Sequence, residues 1–380
     1  MQVLKIRLKD FRNFKELNLD PKNVINVFLG DNAQGKTNLL EAVYFASLGR
    51  SQRVQKETDL IRWEQAQAII HITFRKLGVE QAIALELSNG KPRRIILNDH
   101  PIRIKQLIGR FNAVLFAPED LFLIKGSPVN RRKFLDAEIS QASPTYFADL
   151  LTYNKILTQR NSLLKMIKDG QAKSDSLVLW NEQLANTAIK IIAKRLEAVR
   201  NISRLANDLQ QKISEQLENI KILYEIHGVE QSQSLPSELA KWYIRRLSEN
   251  QNVDIIRGST SFGPHLDDIR FLINDRDLRA FGSQGQQRTA VLALKLSELE
   301  FLREEVGDYP ILLLDDVMSE LDVKRRTQLL DFLNRQKIQT FITATDSAYF
   351  PDKSAADFFS VKAGCIRAEG QDRVKGRGPR

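Results

Sequence analysis

Gly30-Asp31-Asn32-Ala33-Gln34-Gly35-Lys36-Thr37 is the stretch that decides how this chain is read. The octapeptide fits the phosphate-binding loop G-x-x-x-x-G-K-[ST]. An apolar run, Val24-Ile25-Asn26-Val27-Phe28-Leu29, enters it, and Asn38-Leu39-Leu40-Glu41-Ala42-Val43 leaves it with helical texture. Strand, glycine loop and helix in succession is the setting in which such a loop works. Its backbone N–H groups and the positive end of the helix converge on an anion. Lys36 is expected to reach the β- and γ-phosphates of a nucleotide, and Thr37 to offer its hydroxyl to Mg²⁺. A glycine turn that happens to carry Lys-Thr is the plainer alternative, and the strand ahead of the loop disfavours it.

A second acidic site stands far down the chain. Ile311-Leu312-Leu313-Leu314-Asp315-Asp316 is an unbroken apolar run ending in two carboxylates. Runs of that kind read as buried parallel strands, and ligands gather beyond the carboxyl ends of such strands. Asp315 is therefore expected to help hold Mg²⁺ beside Thr37, and Asp316 to orient an attacking water, as phosphoryl transfer requires. Upstream lies Ser283-Gln284-Gly285-Gln286-Gln287-Arg288, followed by an amphipathic run from Thr289 to Glu305. Ser283 stands where an N-cap would, and Gly285 permits close approach to backbone. Ser283, Gln284, Gly285 and Gln286 thus read as a second helix start suited to an anion. An ordinary helix start would look the same in isolation. Its position between the loop and the acidic strand makes it informative.

The 380 residues suffice for one large core or two linked ones. No run approaches the ~20 consecutive apolar residues of a membrane span, and Met1-Gln2-Val3-Leu4-Lys5 lacks the layout of a signal peptide. The single cysteine, Cys365, permits no internal disulfide, and four scattered histidines give no zinc spacing. A cytoplasmic protein with no membrane contact is expected. The formal charge of +10 favours a polyanionic partner, although solvated basic faces produce such excesses too.

Short strands dominate the first hundred-odd residues: Val3–Leu8 and Ala82–Leu87 alternate, and Arg94–Leu97 meets the turn Asn98-Asp99. After Phe116-Ala117-Pro118 the texture turns helical from Asn130 to about Asn219, with breaks at Ser143-Pro144 and Asp169-Gly170. Leu150, Leu157 and Leu164 form one stripe with Phe147 and Ile167. Leu177, Trp180, Leu184, Ala188, Ile191, Val199, Ile202, Leu209 and Ile213 form another. Both read as core-facing seams of an antiparallel helical hairpin, whose longer arm spans roughly 60 Å at about 1.5 Å per residue. Arg195, Lys194, Arg200 and Arg204 beside the seam are expected in solvent. A loop covers Gly228 to Ser237, a short helix surrounds Trp242, and strand texture returns at Ile269–Ile273.

The order of motifs, phosphate loop, long insertion, SQGQQR, acidic strand and then Ser319-Glu320-Leu321-Asp322, resembles that of ABC-type ATPases. SQGQQR resembles the ABC signature, and Ser319 to Asp322 looks like the D-loop. The resemblance implies that the signature caps the γ-phosphate of ATP held by a second copy, in an ATP-dependent head-to-head homodimer. Leu8-Lys9-Asp10-Phe11-Arg12-Asn13-Phe14 resembles the opening strands of the SMC-like branch, which works on DNA. Phe116 to Leu121, Gly126-Ser127-Pro128 with Arg131-Arg132, Phe134-Leu135-Asp136 and Gly263-Pro264-His265-Leu266-Asp267-Asp268 are similar to blocks of the RecF family.

That likeness runs from residue 3 to about residue 366. It implies an α/β fold: an ABC-type ATPase head of mixed sheets around the phosphate loop, with an inserted all-helical lobe containing the short hairpin. The expected division is 1–118 with 254–368 as head, 119–253 as insertion and 369–380 as a basic tail. It further implies a weak, DNA-stimulated ATPase using ATP and Mg²⁺ as a switch, acting on single-strand gaps and single/double-strand junctions. Such a protein would help RecR and RecO load RecA, and would support replication-fork recovery and the SOS response.

Three departures from the general ABC pattern point to slow hydrolysis. Asp316 replaces the longer catalytic glutamate, Thr343-Ala344-Thr345-Asp346 stands where a switch histidine is usual, and the signature has one glycine instead of two. Missing the switch histidine and the SGGQ signature also disfavours the nucleotide-binding subunit of a transporter. An SMC relative joined to a nuclease would carry an appended metal-binding block, which is absent. His265 reads as structural before it reads as a phosphate or DNA contact, and Gln34 reads as a plain loop residue.

Overall fold

The computed structural model describes residues 1–229, 238–350 and 356–368. The expected Gly228–Ser237 loop falls mostly outside these residues, and the basic tail 369–380 does so entirely. The chain divides into two compact units: Met1–Asp120 together with Glu298 onward, and Leu121–Ser297.

Two six-stranded sheets build the first unit. One runs Cys365–Ala368, Ala356–Lys362, Ile25–Leu29, Thr340–Ala344, Ile311–Asp315 and Ala113–Phe116, and every pairing is parallel except that of the first two strands. Its central strands are buried on both faces as parallel strands must be, Ile311–Asp315 as an unbroken apolar run and its neighbours with Asn26, Thr340 and Thr343 among apolar residues. The other sheet is wholly antiparallel, and contains Phe14–Leu19, Gln2–Phe11, Gln67–Lys76, Val79–Ser88, Lys91–Leu97 and His100–Ile102. Gln2–Phe11 and Gln67–Lys76 alternate between buried and more open positions, which suits a sheet with one face on the core. The helix Lys36–Leu48 packs against strands of both sheets. Nearly all of it is buried, with Glu41 among the buried residues and paired with Arg12 at 2.9 Å, so it lacks a distinct solvent face.

In the second unit the helical breaks fall where proline and glycine put them. Pro128–Ala142 and Pro144–Lys168 both open on proline, which suits the first helical position because its missing N–H has no partner there. Ser143 caps the second by accepting from the Tyr146 amide. Leu177–Ile213 is the long arm, and it packs against Pro144–Lys168. The long helix buries Leu177, Leu184, Ala188, Ile191, Val199 and Ile202 as its periodicity requires. The shorter one buries a face rotated from the leucine stripe, Tyr146, Tyr153, Ile156, Arg160 and Leu164, with Leu150 and Leu157 half-buried.

The far boundary of the insertion differs from expectation. Asp268–Ile273 is a strand, but it pairs with Ile220–Glu225 and Arg276–Asp277 in a three-stranded antiparallel sheet of the second unit. The lobe expected to be all-helical therefore holds a small sheet, and residues 254–297, assigned to the head, lie in the second unit. The alternation of Ile269, Phe271 and Ile273 reports a strand with one buried face and carries no information about which strand lies beside it.

Candidate nucleotide site

The strand Ile25–Leu29 delivers the chain to the loop at the carboxyl end of the parallel sheet, and the helix starts at Lys36. Two glycines make the loop possible. A Cβ on Gly30 would collide with the carbonyl of Val361, and one on Gly35, at φ 110°, would collide with the Asn13 amide. Asn13 donates to the Gln34 carbonyl at 3.0 Å and accepts from Asn38 at 2.9 Å, so it braces the loop against the first turn of the helix. Gln34 is more than a loop residue. Its side-chain oxygen accepts from the Ala363 amide at 2.7 Å and its carbonyl from Gly364 at 3.1 Å, which pins the loop to the last hairpin of the sheet.

Lys36, only 6% exposed, donates to the carbonyls of Gly30 at 2.5 Å and Asp31 at 2.9 Å. Burial pushes its ammonium below the usual lysine range, and the nearby carboxylates Asp316, Asp315 and Asp31 oppose that shift. Thr37 donates to Asp315 Oδ1 at 2.9 Å, although the two are separated by most of the chain. Thr343 donates to the same oxygen at 2.7 Å, and its hydroxyl accepts from the Asp316 amide at 2.9 Å. Asp316 itself sits in the left-handed region at φ 55°. Burial raises its carboxyl above the ordinary range, against the pull of Lys36, with Asp315 and Glu320 adding to the rise. Its Oδ1 is buried and has no hydrogen-bond partner.

These residues suit Mg²⁺. Thr37 and Asp315 converge as hard oxygen donors, and the residue that follows, Asp316, has a buried carboxylate oxygen without a hydrogen-bond partner. Mg²⁺ takes one or two protein oxygens and completes its shell with water and phosphate.

Downstream, Ser319 donates to the Asp316 carbonyl at 2.7 Å, and Asp322 caps the helix Val323–Gln336 by accepting from the Arg325 amide at 2.9 Å. In the second unit Ser283 and Gln286 form a reciprocal cap at the start of Gln284–Val306. The Gln286 amide donates to Ser283 Oγ at 3.2 Å, and the Ser283 amide donates to the Gln286 side chain at 2.9 Å. Ser283, Gln284 and Gly285 are exposed.

His265 is structural in this geometry. Nδ1 lies 2.6 Å from the Tyr153 hydroxyl and Nε2 lies 3.2 Å from the Thr260 carbonyl. Burial pushes it down to about 4, so the ring is neutral near pH 7. Arg195 departs from expectation: it is 2% exposed, whereas Lys194, Arg200 and Arg204 are exposed. Its guanidinium reaches Asp136 at 2.8 Å, the hydroxyls of Tyr146 and Tyr224, and the Pro264 carbonyl at 2.6 Å. Those partners come from four other segments, which a helical period cannot reveal.

The family model described as RecF/RecN/SMC N terminal domain matches residues 2–365. A relative from Halothermothrix orenii, named DNA replication and repair protein RecF, is 46% identical over 350 residues, covering 91% of this chain and 92% of its own. The chain belongs to the RecF family. A solved structure of the recombination mediator protein RecF-ATP in the RecFOR pathway superposes with a TM-score of 0.89 at 36% identity, covering 97% of each chain. A Pyrococcus furiosus Smc head domain, at 15% identity and a TM-score of 0.55 over 97% of this chain and 95% of its own, shares the fold alone. Among the described residues no helix is long and apolar enough to cross a membrane.

Thr343 and Asn13 are the site residues that sequence reasoning left without a role. Both stood inside stretches noted for other reasons. What singles them out is strand register and loop packing.

Proposed function

We propose that this RecF-family chain is a cytoplasmic ATP-dependent DNA-binding protein of recombinational repair, in which ATP joins two copies and slow hydrolysis releases them. The observation that carries this reading is the meeting of Lys36, Thr37, Asp315 and Asp316 at one end of the parallel sheet. The first unit is then the ATPase head. Gly30 to Thr37 wraps the triphosphate with its amides, and Lys36 exchanges two loop carbonyls for β- and γ-phosphate oxygens. Thr37 and Asp315 would hold Mg²⁺, which when bound neutralises charge on the phosphates. Asp316 orients the attacking water through a carboxylate one methylene shorter than glutamate, and turnover is correspondingly slow.

Ser283 to Gln286 caps the γ-phosphate held by a second copy. One observation supports this: a Cβ on Gly285 would meet nothing closer than Ser283 Oγ at 3.9 Å, so the chain's own packing does not require glycine there. A bare helix start is what an approaching phosphate needs. DNA supplies the polyanion that the charge of +10 favours, at single-strand gaps and single/double-strand junctions. RecR and RecO are the partners through which RecA is loaded, in fork recovery and the SOS response, and DNA stimulates the weak ATPase.

Titration of junction DNAs of unrelated sequence, with and without ATP and at several salt concentrations, tests the DNA half of the proposal. Affinity is expected to fall steeply with log salt as counterions are released and to vary little with sequence. A flat salt response, or strong preference for one sequence, counts against it.

A further inference from the structure

We propose that Thr343 is a positioning residue that sets both acidic side chains of the nucleotide site through a single hydroxyl. The proposal rests on the reading of this end of the sheet as a Mg²⁺–ATP site. Parallel register places Thr343 opposite Asp315 on the neighbouring strand and opposite Phe28 on the other side. In-register residues of parallel strands leave the same face of the sheet, so the Thr343 hydroxyl arrives beside the Asp315 carboxylate by topology alone. Threonine is also a natural strand residue, since its branched Cβ packs well on a pleated surface.

The hydroxyl has one proton and two acceptor positions. The proton goes to Asp315 Oδ1 at 2.7 Å, in preference to the Leu314 carbonyl at 3.5 Å. An acceptor position takes the Asp316 amide at 2.9 Å. Thr343 is 0% exposed, so water does not replace it. The two bonds do different jobs. The first turns Asp315 so that Oδ1 is shared between Thr343 and Thr37, and Thr37 with Asp315 would hold Mg²⁺. The second ties down the amide of Asp316 in its left-handed conformation, and that conformation aims the carboxylate. Non-glycine residues hold such a conformation only where the surroundings impose it.

Partners of metal-ligating carboxylates change metal affinity or activity by about 10- to 100-fold when lost. Thr343→Val keeps the shape and removes the hydroxyl, whereas Thr343→Ser keeps the hydroxyl and removes the methyl. The binding of a fluorescent ATP analogue is measured with Mg²⁺ and with EDTA, together with the Mg²⁺ concentration giving half-saturation. Thr343→Val is expected to bind as wild type does in EDTA and to need about 10- to 100-fold more Mg²⁺. Thr343→Ser is expected to stay within a few-fold of wild type. Should valine prevent folding, Thr343→Ala supplies the same comparison against serine. A valine variant with wild-type Mg²⁺ dependence overturns the proposal, as does a serine variant as impaired as valine. If wild type itself shows no Mg²⁺-dependent nucleotide binding, the reading of the site falls and takes this role with it.

Discussion

The parallel-sheet end of the first unit and the middle of the helical arm in the second are both buried, polar and charged, and they are built to opposite ends. Around Arg195 the chain answers itself: a guanidinium meets Asp136, two tyrosine hydroxyls and a carbonyl, and the Tyr224 hydroxyl donates on to Asp267 at 2.5 Å. Arg160, 0% exposed, is held by Asn181, Asp254 and Thr260, with its Nη2 alone left without a partner. Around Lys36 the chain leaves capacity over. Among the described residues the lysine donates to two loop carbonyls, and a buried oxygen of Asp316 has no partner. Densely cross-bonded polar groups hold the fold, and what marks the other cluster is an orphaned carboxylate oxygen beside a phosphate-binding loop. Charge and burial alone do not separate the two cases.

Replacing charge in each region should therefore have opposite consequences. Asp316→Asn should slow hydrolysis by about 10²- to 10⁴-fold, the range for losing a group that manages a proton or orients its donor. ATP binding should persist and the ATP-bound dimer should last longer, read by single-turnover kinetics beside sedimentation. Wild-type turnover in this variant would remove Asp316 from the mechanism. Arg195→Met should leave nucleotide affinity intact and lower unfolding stability by roughly 3–5 kcal/mol, because Asp136 loses its buried partner. Chemical denaturation alongside ATP titration checks both halves, and a stability change under about 1 kcal/mol would mean the network is dispensable.

Much of this contrast was legible in the chain beforehand, and unevenly so. The loop from Gly30 to Thr37 announces itself because few residue types meet its steric demands, and Ile311 to Asp315 because a strand buried on both faces cannot alternate. Pro144 and Gly170 punctuate the helices for reasons local to the backbone. Three features were out of reach. Arg195 looked like a solvent-facing residue beside a seam, since its partners Asp136, Tyr224 and Pro264 are remote in sequence. The strand Asp268–Ile273 was recognisable as a strand but not as a partner of Ile220–Glu225. Thr343 acquires meaning only from its register against Asp315.

Smaller effects sharpen the comparison. Ser283→Arg should bind ATP nearly as wild type, since Lys36 and Thr37 are untouched, yet fail to dimerise with it. A ligand moves an equilibrium only through a difference in affinity between states, and this variant removes the difference at the second copy. Sedimentation with ATP, a non-hydrolysable analogue and ADP checks it; dimerisation equal to wild type would rule out the trans arrangement. Loss of the cap should cost only about 1 kcal/mol of stability.

The smallest effect concerns pH. Asp316 has a raised folded-state carboxyl, so its protonated form favours the fold below the ordinary value of 3.8 and that contribution is lost as pH rises through the shifted value. Asp316→Asn, which cannot ionise, should therefore melt slightly above wild type near pH 7. The gap should close as pH falls below the ordinary carboxylate range. A melting-temperature series against pH reads it, and a variant less stable than wild type at neutral pH would contradict the destabilised buried carboxylate.

The central claim is that the unfilled polar groups around Lys36 exist to bind nucleotide. Isothermal titration of Mg²⁺–ATP into wild type and Lys36→Ala tests it most directly, with melting curves showing both proteins folded. The account predicts saturable binding to wild type and affinity at least about 100-fold weaker in Lys36→Ala, the loss of a charge-assisted grip worth roughly 3 kcal/mol. Equal binding by the two proteins would contradict it.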